Sequence, residues 1–265
     1  GTSTDRVQKL ARNLNDFNLA VAMQQLYETG DYFAPLPSRA DSNVDTYWTQ
    51  AVDPDGRARD RFAERESYLA NITTELEYIA ALSPGRILDI GCGPGWLLSA
   101  IDPGWDLQGI EPSPAAAELA AQHAKIHTGP LEGAPFTSAS FDLIVMYHVI
   151  EHLDDPVAAI NKVYDLLVKG GHLIIGTPDF DSGAARRYGA RYRLLADPTH
   201  ISLFSNDSMH RLLRDHGFNI RRVDYPYFDT AYFNEENLLR LLDQQETSPP
   251  FYGNFMTFYC TRNDS

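Results

Sequence analysis

The segment Arg86–Trp96, with the sequence RILDIGCGPGW, constrains the fold of this chain more than any other. It predicts a short buried strand with an acidic residue near its end, followed by a glycine-rich turn and a helix. Glycines at alternate positions, Gly91, Gly93 and Gly95, let the backbone adopt left-handed dihedrals and approach a ligand closely. Because the N-terminus of a helix presents free N–H groups, this turn predicts a nucleotide-type site in an α/β fold.

The turn departs from the fingerprint of dinucleotide-binding proteins. That fingerprint, G-x-G-x-x-G, places its third glycine where this chain has Trp96. An indole at this position blocks the close helix–strand packing that the third glycine permits. The observed spacing is G-x-G-x-G, preceded by Asp89, which disfavours a nicotinamide or flavin dinucleotide.

A second carboxylate closes the next predicted strand. Glu111 ends the segment Asp106–Glu111, about 20 residues after Gly91, the offset at which nucleotide-binding α/β folds place an acid on the ribose. One carboxylate can accept hydrogen bonds from both ribose hydroxyls. The helix start at Pro112–Pro114 further favours this interpretation over a surface glutamate.

These motifs resemble those of the class I S-adenosylmethionine-dependent methyltransferases, in particular the type that acts on small molecules such as sugars or quinone precursors. The first motif of that family is hydrophobic-L-D-I-G-C-G-x-G, and Asp89–Gly95 matches it residue for residue. Further family-like segments follow in the expected order: Thr128–Phe136, Ser140–Val145, Tyr147–Leu153 and Lys169–Pro178. The resemblance therefore covers Arg86–Pro178.

The resemblance implies that the chain binds S-adenosylmethionine, releases S-adenosylhomocysteine and holds the ribose with Glu111. It assigns Leu131 and Glu132 to the edge of the adenine. The other residues that it places around the cofactor are Asp89, Gly91, Cys92, Gly93, Gly95, Trp96, Pro112, Ser113 and Tyr147. Arg65 or Arg61, on the helix before the first strand, is expected to pair with the carboxylate of the methionine moiety.

Alternating strands and helices predict an α/β fold with a doubly wound, mostly parallel sheet. Strands are predicted at 86–91, 106–111, 125–128, 141–147, 171–176, 217–225 and 253–261, and helices near 7–27, 60–82, 95–101, 113–123, 156–168 and 205–216. By the resemblance, the sheet is seven-stranded and Rossmann-like, with its last strand antiparallel. We expect residues 1–84 to form an N-terminal helical cap segment and residues 85–265 to form the methyltransferase domain.

Two insertions, at about 179–204 and 226–251, leave or return at the carboxyl edge of the sheet. Ligands lie beyond this edge in open α/β sheets, so both insertions are expected to cap the site and select the acceptor. The first contains the candidate substrate-binding residues Arg186, Arg187, Tyr188, Arg191 and Arg193. Guanidinium groups bind phosphate or carboxylate, which favours an anionic acceptor; pairing with local acids is the alternative.

Aromatic residues of the N-terminal segment are further candidates for the acceptor pocket. They are Tyr32, Phe33, Tyr47 and Trp48. Ligand pockets are largely apolar, but ordinary packing against the sheet explains the same residues equally well.

Two histidines are candidate catalytic bases. Methyl transfer needs positioning of the acceptor and a base for its proton, and neutral imidazole suits that role. The resemblance places His148 at the mouth of the site beside the methyl group, and His200 lies in the first insertion. Residues 148–152 also match the H-x-x-E-H pattern of zinc proteases. No helix is predicted to carry both histidines on one face, so no metal is expected.

The amino-acid composition limits the kinds of partner that we expect for this chain. The formal net charge of −14, from 22 basic and 36 acidic residues, argues against a DNA or RNA substrate. No apolar run approaches the roughly 18 residues of a membrane helix, so no membrane partner is expected. The two cysteines do not imply a disulfide framework. Because the sequence shows no signal-peptide pattern, we expect a cytoplasmic protein.

The sequence thus predicts a methyltransferase acting on a hydroxyl oxygen of a small molecule, sugar-like or quinone-like. The main alternative is a catalytically silent protein of the same fold that only binds S-adenosylmethionine or a partner. Hydrolysis or aminopropyl transfer is a lesser alternative. The oligomeric state is not predicted.

Overall fold

The computed structural model describes residues 18–36, 47–48, 51–52, 58–197, 199–225, 233–243, 246–250 and 255–263. Within these ranges, seven strands form one large sheet and four short strands form two small ribbons. Helices cover the large sheet, and the N-terminal helix packs on the first insertion.

In chain order the strands are β1 (Ala34–Pro35), β2 (Ala51–Val52), β3 (Ala58–Arg59), β4 (Arg86–Ile90), β5 (Asp106–Glu111), β6 (Lys125–Thr128), β7 (Phe141–Tyr147), β8 (Leu167–Pro178), β9 (Ser202–Leu203), β10 (Phe218–Asp224) and β11 (Phe255–Arg262). The α-helices are α1 (Leu19–Thr29), α2 (Arg65–Asn71), α3 (Thr73–Ala80), α4 (Trp96–Ser99), α5 (Pro114–Ala120), α6 (Pro156–Leu166), α7 (Gly183–Tyr188), α8 (Arg193–Ala196), α9 (Asn206–Asp215) and α10 (Glu235–Arg240). Single 3₁₀ turns lie at Arg61–Ala63, Leu131–Gly133, Ile150–His152 and Gly189–Arg191.

The strand order in the large sheet is β10-β11-β8-β7-β4-β5-β6. Strands β4 to β8 pair in parallel, whereas β11 runs antiparallel to both of its neighbours, β8 and β10. The predicted fold class and the antiparallel last strand are therefore confirmed. The order reverses between β4 and β7, the point where ligands bind in such sheets.

The central strands are buried because helices cover both faces of the sheet. Leu88, Ile144 and Ile175 lie in one buried cluster, and Ile87, Leu143 and Ile174 lie in another. Strand residues alternate between the two faces, so both clusters draw on β4, β7 and β8. This rigid framework positions the loops that follow the strands.

Two elements differ from the prediction. The predicted helix 60–82 is broken into a 3₁₀ turn, α2 and α3. The breaks lie at Glu64 (φ −88°, ψ 9°) and at Ile72 (φ −108°, ψ 20°), which both have non-helical dihedrals, and the Ile72 side chain is buried. Strand β8 begins at Leu167 rather than at 171, since Leu167 already pairs with Phe141 and Gly170 bends the strand at φ +71°.

The first insertion forms a compact layer on the N-terminal segment. Helix α1 packs with Leu19, Met23 and Leu26 against Phe180 and Tyr192 of the insertion. Strand β1 pairs with β9 at the end of that insertion. The predicted helix 7–27 is observed from Leu19, its first half lying outside the described residues. None of the helices in the described ranges has the length and hydropathy that a membrane span requires.

Candidate active site

The glycine-rich turn after β4 adopts the backbone that its sequence predicts. Gly91, Gly93 and Gly95 all have positive φ, at +73°, +53° and +78°. The N–H groups of Gly91 and Cys92 both donate to the carbonyl of Ile110, at 2.8 and 3.0 Å. These bonds fix the turn to the end of β5, beside Glu111.

Space around the turn also requires glycine. A Cβ on Gly91 would lie 2.4 Å from Cγ2 of Val149, and one on Gly95 would lie 2.9 Å from Cα of Ala120. The second contact is with backbone, which cannot rotate away. The turn is thus a concave backbone surface that any larger residue would fill, as a close-fitting nucleotide site requires.

Glu111 is held at the rim of this surface with its carboxylate bound by backbone donors. Gly93 N–H donates to Oε2 and Ser113 N–H donates to Oε1, both at 2.9 Å. Each oxygen retains further acceptor capacity, so the carboxylate can take two hydroxyl hydrogens. Burial raises the pKa of Glu111, and the two backbone hydrogen bonds oppose that rise.

Trp48 covers the same surface from the N-terminal segment. Its indole lies close enough to the carboxylate of Glu111 to lower the pKa of that group. The benzo edge of the ring lies 2.7 Å from where a Cβ of Gly93 would stand. The ring also stacks on Phe62 at 5.5 Å and meets Trp96 edge-on at 6.1 Å. A flat, hydrogen-bonding side chain therefore lies where a nucleoside would be bound.

Asp89 is buried below the turn near the end of β4. Burial, together with the nearby charge of Glu111, raises its pKa to about 8. Asp89 is therefore largely protonated at neutral pH and can donate as well as accept a hydrogen bond.

The residues expected beside the adenine and ribose lie on the segments that follow β5 and β6. Ser113 is fully buried and caps α5, its Oγ accepting from Ala116 N–H at 3.4 Å. Leu131 is buried at the start of a 3₁₀ turn, whereas Pro112 and Glu132 are exposed. Burial raises the pKa of the Cys92 thiol, which points toward Gly109 and has no acidic character.

Aromatic rings form a wall between the turn and the following strands. Tyr68 packs against Trp96 at 5.4 Å, and its phenol lies close enough to Asp89 and Tyr147 for their charges to raise its pKa beyond the effect of burial. The Tyr147 ring lies against Gly176, where a Cβ would meet it at 2.5 Å. Tyr68 was not among the predicted site residues, because nothing in its local sequence distinguishes it from a packing residue.

The two arginines expected at the methionine carboxylate have different partners. Arg65 donates from Nη2 to Oγ of Ser99 at 3.0 Å. Arg61 donates to the Tyr47 hydroxyl at 3.0 Å, lies over that ring at 4.0 Å, and has a buried Nε with no partner in the part of the chain described. Both guanidinium groups keep donors for a carboxylate, and the one at Nε of Arg61 is buried.

His148 lies at the carboxyl end of β7 in a left-handed conformation, φ +56°. This conformation is uncommon for a residue with a Cβ, and it turns the side chain away from the strand. The imidazole packs on Tyr147 and Phe255 at 4.5 and 4.7 Å. Its Nδ1 lies 3.3 Å from Oε1 of Glu151. Because a carboxylate only accepts, Nδ1 carries the hydrogen and Nε2 keeps its lone pair.

Glu151 was not predicted as a site residue, yet it is the centre of this region. The side chain is fully buried, and Thr177 Oγ1 donates to its Oε2 at 3.0 Å. Burial alone would raise its pKa, but the hydrogen bond with His148 and the charges of His152, His148 and His200 hold the pKa at about 2. The Glu151 side chain is therefore ionised at neutral pH.

His200 is brought to the same carboxylate by the first insertion. It is buried, and its ring lies 4.9 Å from the ring of His152. The H-x-x-E-H pattern does not form a zinc-protease helix, since residues 150–152 are a single 3₁₀ turn. The structure instead pairs His152 with His200, which is distant in sequence.

The arginine-rich segment makes contacts within the chain. Arg186 forms a bidentate ion pair with Asp181, Arg187 donates twice to the Leu241 carbonyl, and buried Arg193 donates to the Ser248 carbonyl. Tyr188 is buried, with its hydroxyl on the Arg240 carbonyl. These contacts join the two insertions. Arg186 therefore fits the alternative, which is pairing with a local acid. Binding of an anionic acceptor by this segment, Arg191 included, stays a prediction.

The structure does not bring Tyr32 to the glycine turn or to His148. Its hydroxyl donates to Asp215 at 2.9 Å, and its ring meets His216 edge-on. Both partners lie at the C-terminal end of α9, which runs back from the carboxyl edge of the sheet. Phe33 likewise packs into the core beside Phe204. Of the four aromatic candidates, Tyr47 and Trp48 are the two that reach the site.

Comparison with known families agrees with this geometry. Residues 59–223, more than half of the chain, match the family described as "Methyltransferase domain". The malonyl-[acyl-carrier protein] O-methyltransferase of Erwinia billingiae is 29% identical over 144 residues, which cover 48% of this chain and 53% of that protein. The ubiquinone biosynthesis O-methyltransferase of Xanthomonas euvesicatoria is 29% identical over 184 residues, 64% of this chain and 70% of that protein. The chain spans about half the length of the first curated relatives it matches.

A solved structure shares the fold as well as part of the sequence. The S-adenosylmethionine-dependent methyltransferase of Thermotoga maritima described as a possible histamine N-methyltransferase superposes with a TM-score of 0.55 and 25% identity. The superposition covers 76% of this chain and 93% of that one.

Proposed function

We propose that this chain, which belongs to the methyltransferase-domain family and is an S-adenosylmethionine-dependent methyltransferase, methylates a hydroxyl oxygen of a small molecule. A sugar-like or quinone-like hydroxyl is the leading candidate. Relatives named as O-methyltransferases support transfer to oxygen. The observation that carries the proposal is the pairing of His148 with Glu151.

Glu111 and the glycine turn would hold the adenosine part of the cofactor, and the wall of Tyr68, Trp96 and Tyr147 would flank the methionine part. Arg61, with its unpartnered Nε, is our candidate for the methionine carboxylate. When bound, S-adenosylmethionine supplies a methyl group already activated on a sulfonium. The protein therefore has to bind, orient and deprotonate the acceptor.

His148 is suited to deprotonating a hydroxyl. Glu151 holds the Nδ1 hydrogen, so Nε2 is the nitrogen that can accept a proton, and the carboxylate stabilises the imidazolium that forms. This is the arrangement in which a carboxylate orients a general base. A methyl acceptor that is already an anion would not need it, so the pairing favours a hydroxyl over a carboxylate acceptor.

Incubation of the purified protein with S-adenosylmethionine labelled in the methyl group tests the proposal. The acceptors would be a small-molecule extract and panels of sugars, phenols and carboxylic acids, with a nucleic-acid and a protein fraction in parallel. We expect label in a small molecule, at an oxygen by mass spectrometry. Labelled nucleic acid or protein, or label confined to carboxylates, would contradict the proposal. Cofactor binding without any label transfer would favour the catalytically silent alternative.

A further inference from the structure

Three side chains near the candidate base form a second chemical centre. The ligand atoms of Glu151, His152 and His200 all lie within 4.8 Å of one another. Glu151 and His200 are buried, and His152 is half-buried. Two imidazoles and one carboxylate are ligands that divalent transition metals take in open catalytic sites.

Both histidines are oriented by hydrogen bonds to the main chain. Nδ1 of His152 lies 3.0 Å from the Thr199 carbonyl, and Nδ1 of His200 lies 2.5 Å from the Leu194 carbonyl. A carbonyl can only accept, so Nδ1 carries the hydrogen in each ring and Nε2 keeps its lone pair. Histidines that bind metals through one nitrogen typically donate the other to a carbonyl or carboxylate in this way.

The segments that carry these ligands are fixed to each other. Ile201 N–H donates to the Glu151 carbonyl at 2.9 Å, and Ser202 Oγ donates to the Leu153 carbonyl at 2.8 Å. Thr177 orients Oε2 of the carboxylate from β8. The first insertion is thus joined to the turn after β7 on both sides of the cluster, and a preformed ligand set costs little to organise.

We propose that Glu151, His152 and His200 bind one divalent transition metal ion, with Nε2 of each histidine and the carboxylate as ligands. Zinc is one ion that this donor set suits, and cobalt, which takes the same geometry, is its spectroscopic substitute. This site departs from the sequence-based expectation of no metal. The ion would draw the three ligand atoms inward, because ligands of tetrahedral zinc lie about 3.3 Å apart.

The position of the cluster suggests its use. Glu151 contacts both His148 and the proposed ion, so an acceptor oxygen bound at the open metal position would lie near the candidate base. The ion would lower the pKa of that hydroxyl, and its proton would pass to Nε2 of His148. This role rests on the proposed function, whereas metal binding itself does not.

Metal binding is measured directly on the whole chain. The protein, purified without a histidine tag and treated with chelator, is titrated with cobalt(II) and separately with zinc(II) in calorimetry. We expect about one equivalent bound and the visible d–d absorption of a cobalt site with nitrogen ligands. His152→Gln and His200→Gln should each weaken binding by at least about 100-fold, since loss of a mere outer-shell partner already costs about 10–100-fold.

His210→Gln is the matched control. His210 is also half-buried and also directs Nδ1 to a main-chain carbonyl, that of Asn206 at 2.9 Å, but it lies on α9 outside the cluster. It should bind metal like the parent protein. Absence of stoichiometric binding by the folded parent protein would overturn the inference, and so would equal binding by all three variants. The titration of the parent protein needs no variant, so misfolding of a variant does not affect that test.

The two proposals fail separately. A protein that binds one equivalent of metal but methylates no hydroxyl keeps the metal site and loses the proposed acceptor. A protein that methylates a hydroxyl at full rate after chelation, with no metal bound, keeps the proposed function and loses the metal site.

Discussion

The indole of Trp48 lies beside the carboxylate of Glu111, the group on which a ribose would be bound, and lowers the pKa of that group. The same ring covers Gly93. A cofactor that uses Glu111 would therefore compete with Trp48 for this position.

Trp48→Phe should bind S-adenosylmethionine more tightly, by about 5-fold. The phenyl ring keeps the stacking on Phe62 but lacks the indole N–H, so a polar interaction with Glu111 worth about 1 kcal/mol no longer opposes the cofactor. Calorimetry gives the affinity. Trp105→Phe, at the opposite end of β5, should leave it unchanged. Weaker binding by Trp48→Phe would mean that the indole belongs to the bound state instead.

Glu111→Ala should reduce the affinity for S-adenosylmethionine by at least about 100-fold. Two hydrogen bonds to a charged group are lost, each worth about 1.5–3 kcal/mol. The variant also frees the N–H groups of Gly93 and Ser113. Glu118→Ala, an exposed acid on the adjacent α5, is the control. An unchanged dissociation constant for Glu111→Ala would contradict the assignment of the cofactor site.

His148→Ala should lower kcat by about 10²–10⁴-fold while the dissociation constant of the cofactor stays the same, because a general base contributes only to the chemical step. Glu151→Gln, which keeps the shape but not the charge, should show a smaller loss. Exposed His123→Ala serves as the control in initial-rate measurements. A kcat unaffected by His148→Ala would exclude it as the base.

Gly95→Ala should destabilise the fold by about 2–4 kcal/mol. The left-handed backbone at φ +78° costs about 1–2 kcal/mol with a Cβ, and the clash with the Ala120 backbone adds to that. Gly183→Ala is the matched control, since its Cβ would meet nothing within 4 Å. Urea unfolding of both variants gives the comparison, and equal stabilities would contradict the steric account of the turn.

Stability should fall as the pH rises from about 4 to about 8, because of Asp89. Its pKa is about 8 in the folded chain and near 4 when unfolded, so the folded state holds a proton that the unfolded state has lost. The slope contributed is up to about 1.4 kcal/mol per pH unit. The free energy of unfolding of Asp89→Asn should depend less on pH over this window. The variant should therefore be more favoured in stability relative to the parent protein at pH 8 than at pH 5. Parallel pH profiles from urea unfolding would refute this.

Local sequence was enough to predict the backbone of the glycine turn and of the strands beside it. The glycine turn, β4 and the end of β5 are contiguous motifs whose backbone geometry follows from glycine positions and strand alternation. The boundaries of β8 were less predictable, because its first residues owe their conformation to pairing with Phe141.

The proposed acceptor side depends on contacts between segments that are far apart in the chain. His200 lies near Glu151 only because β9 and the turn after β7 are side by side in the fold. The spacing of the two residues in the sequence does not predict this proximity. Likewise, the arginine count of the first insertion gave no sign that Arg187 and Arg193 would contact carbonyls of the second. Trp48 stood among several aromatic residues that sequence could not rank.

The pairing of β1 with β9 has a consequence for how acceptor preference changes among relatives. The layer that contains the first insertion is built from three stretches of chain, namely the N-terminal segment and the two insertions, so it has no single boundary at which it can be exchanged. Grafting one insertion from another enzyme would leave its supporting strand and helix behind. We therefore expect point substitutions inside this layer to change the preferred acceptor more readily than transplantation of one insertion.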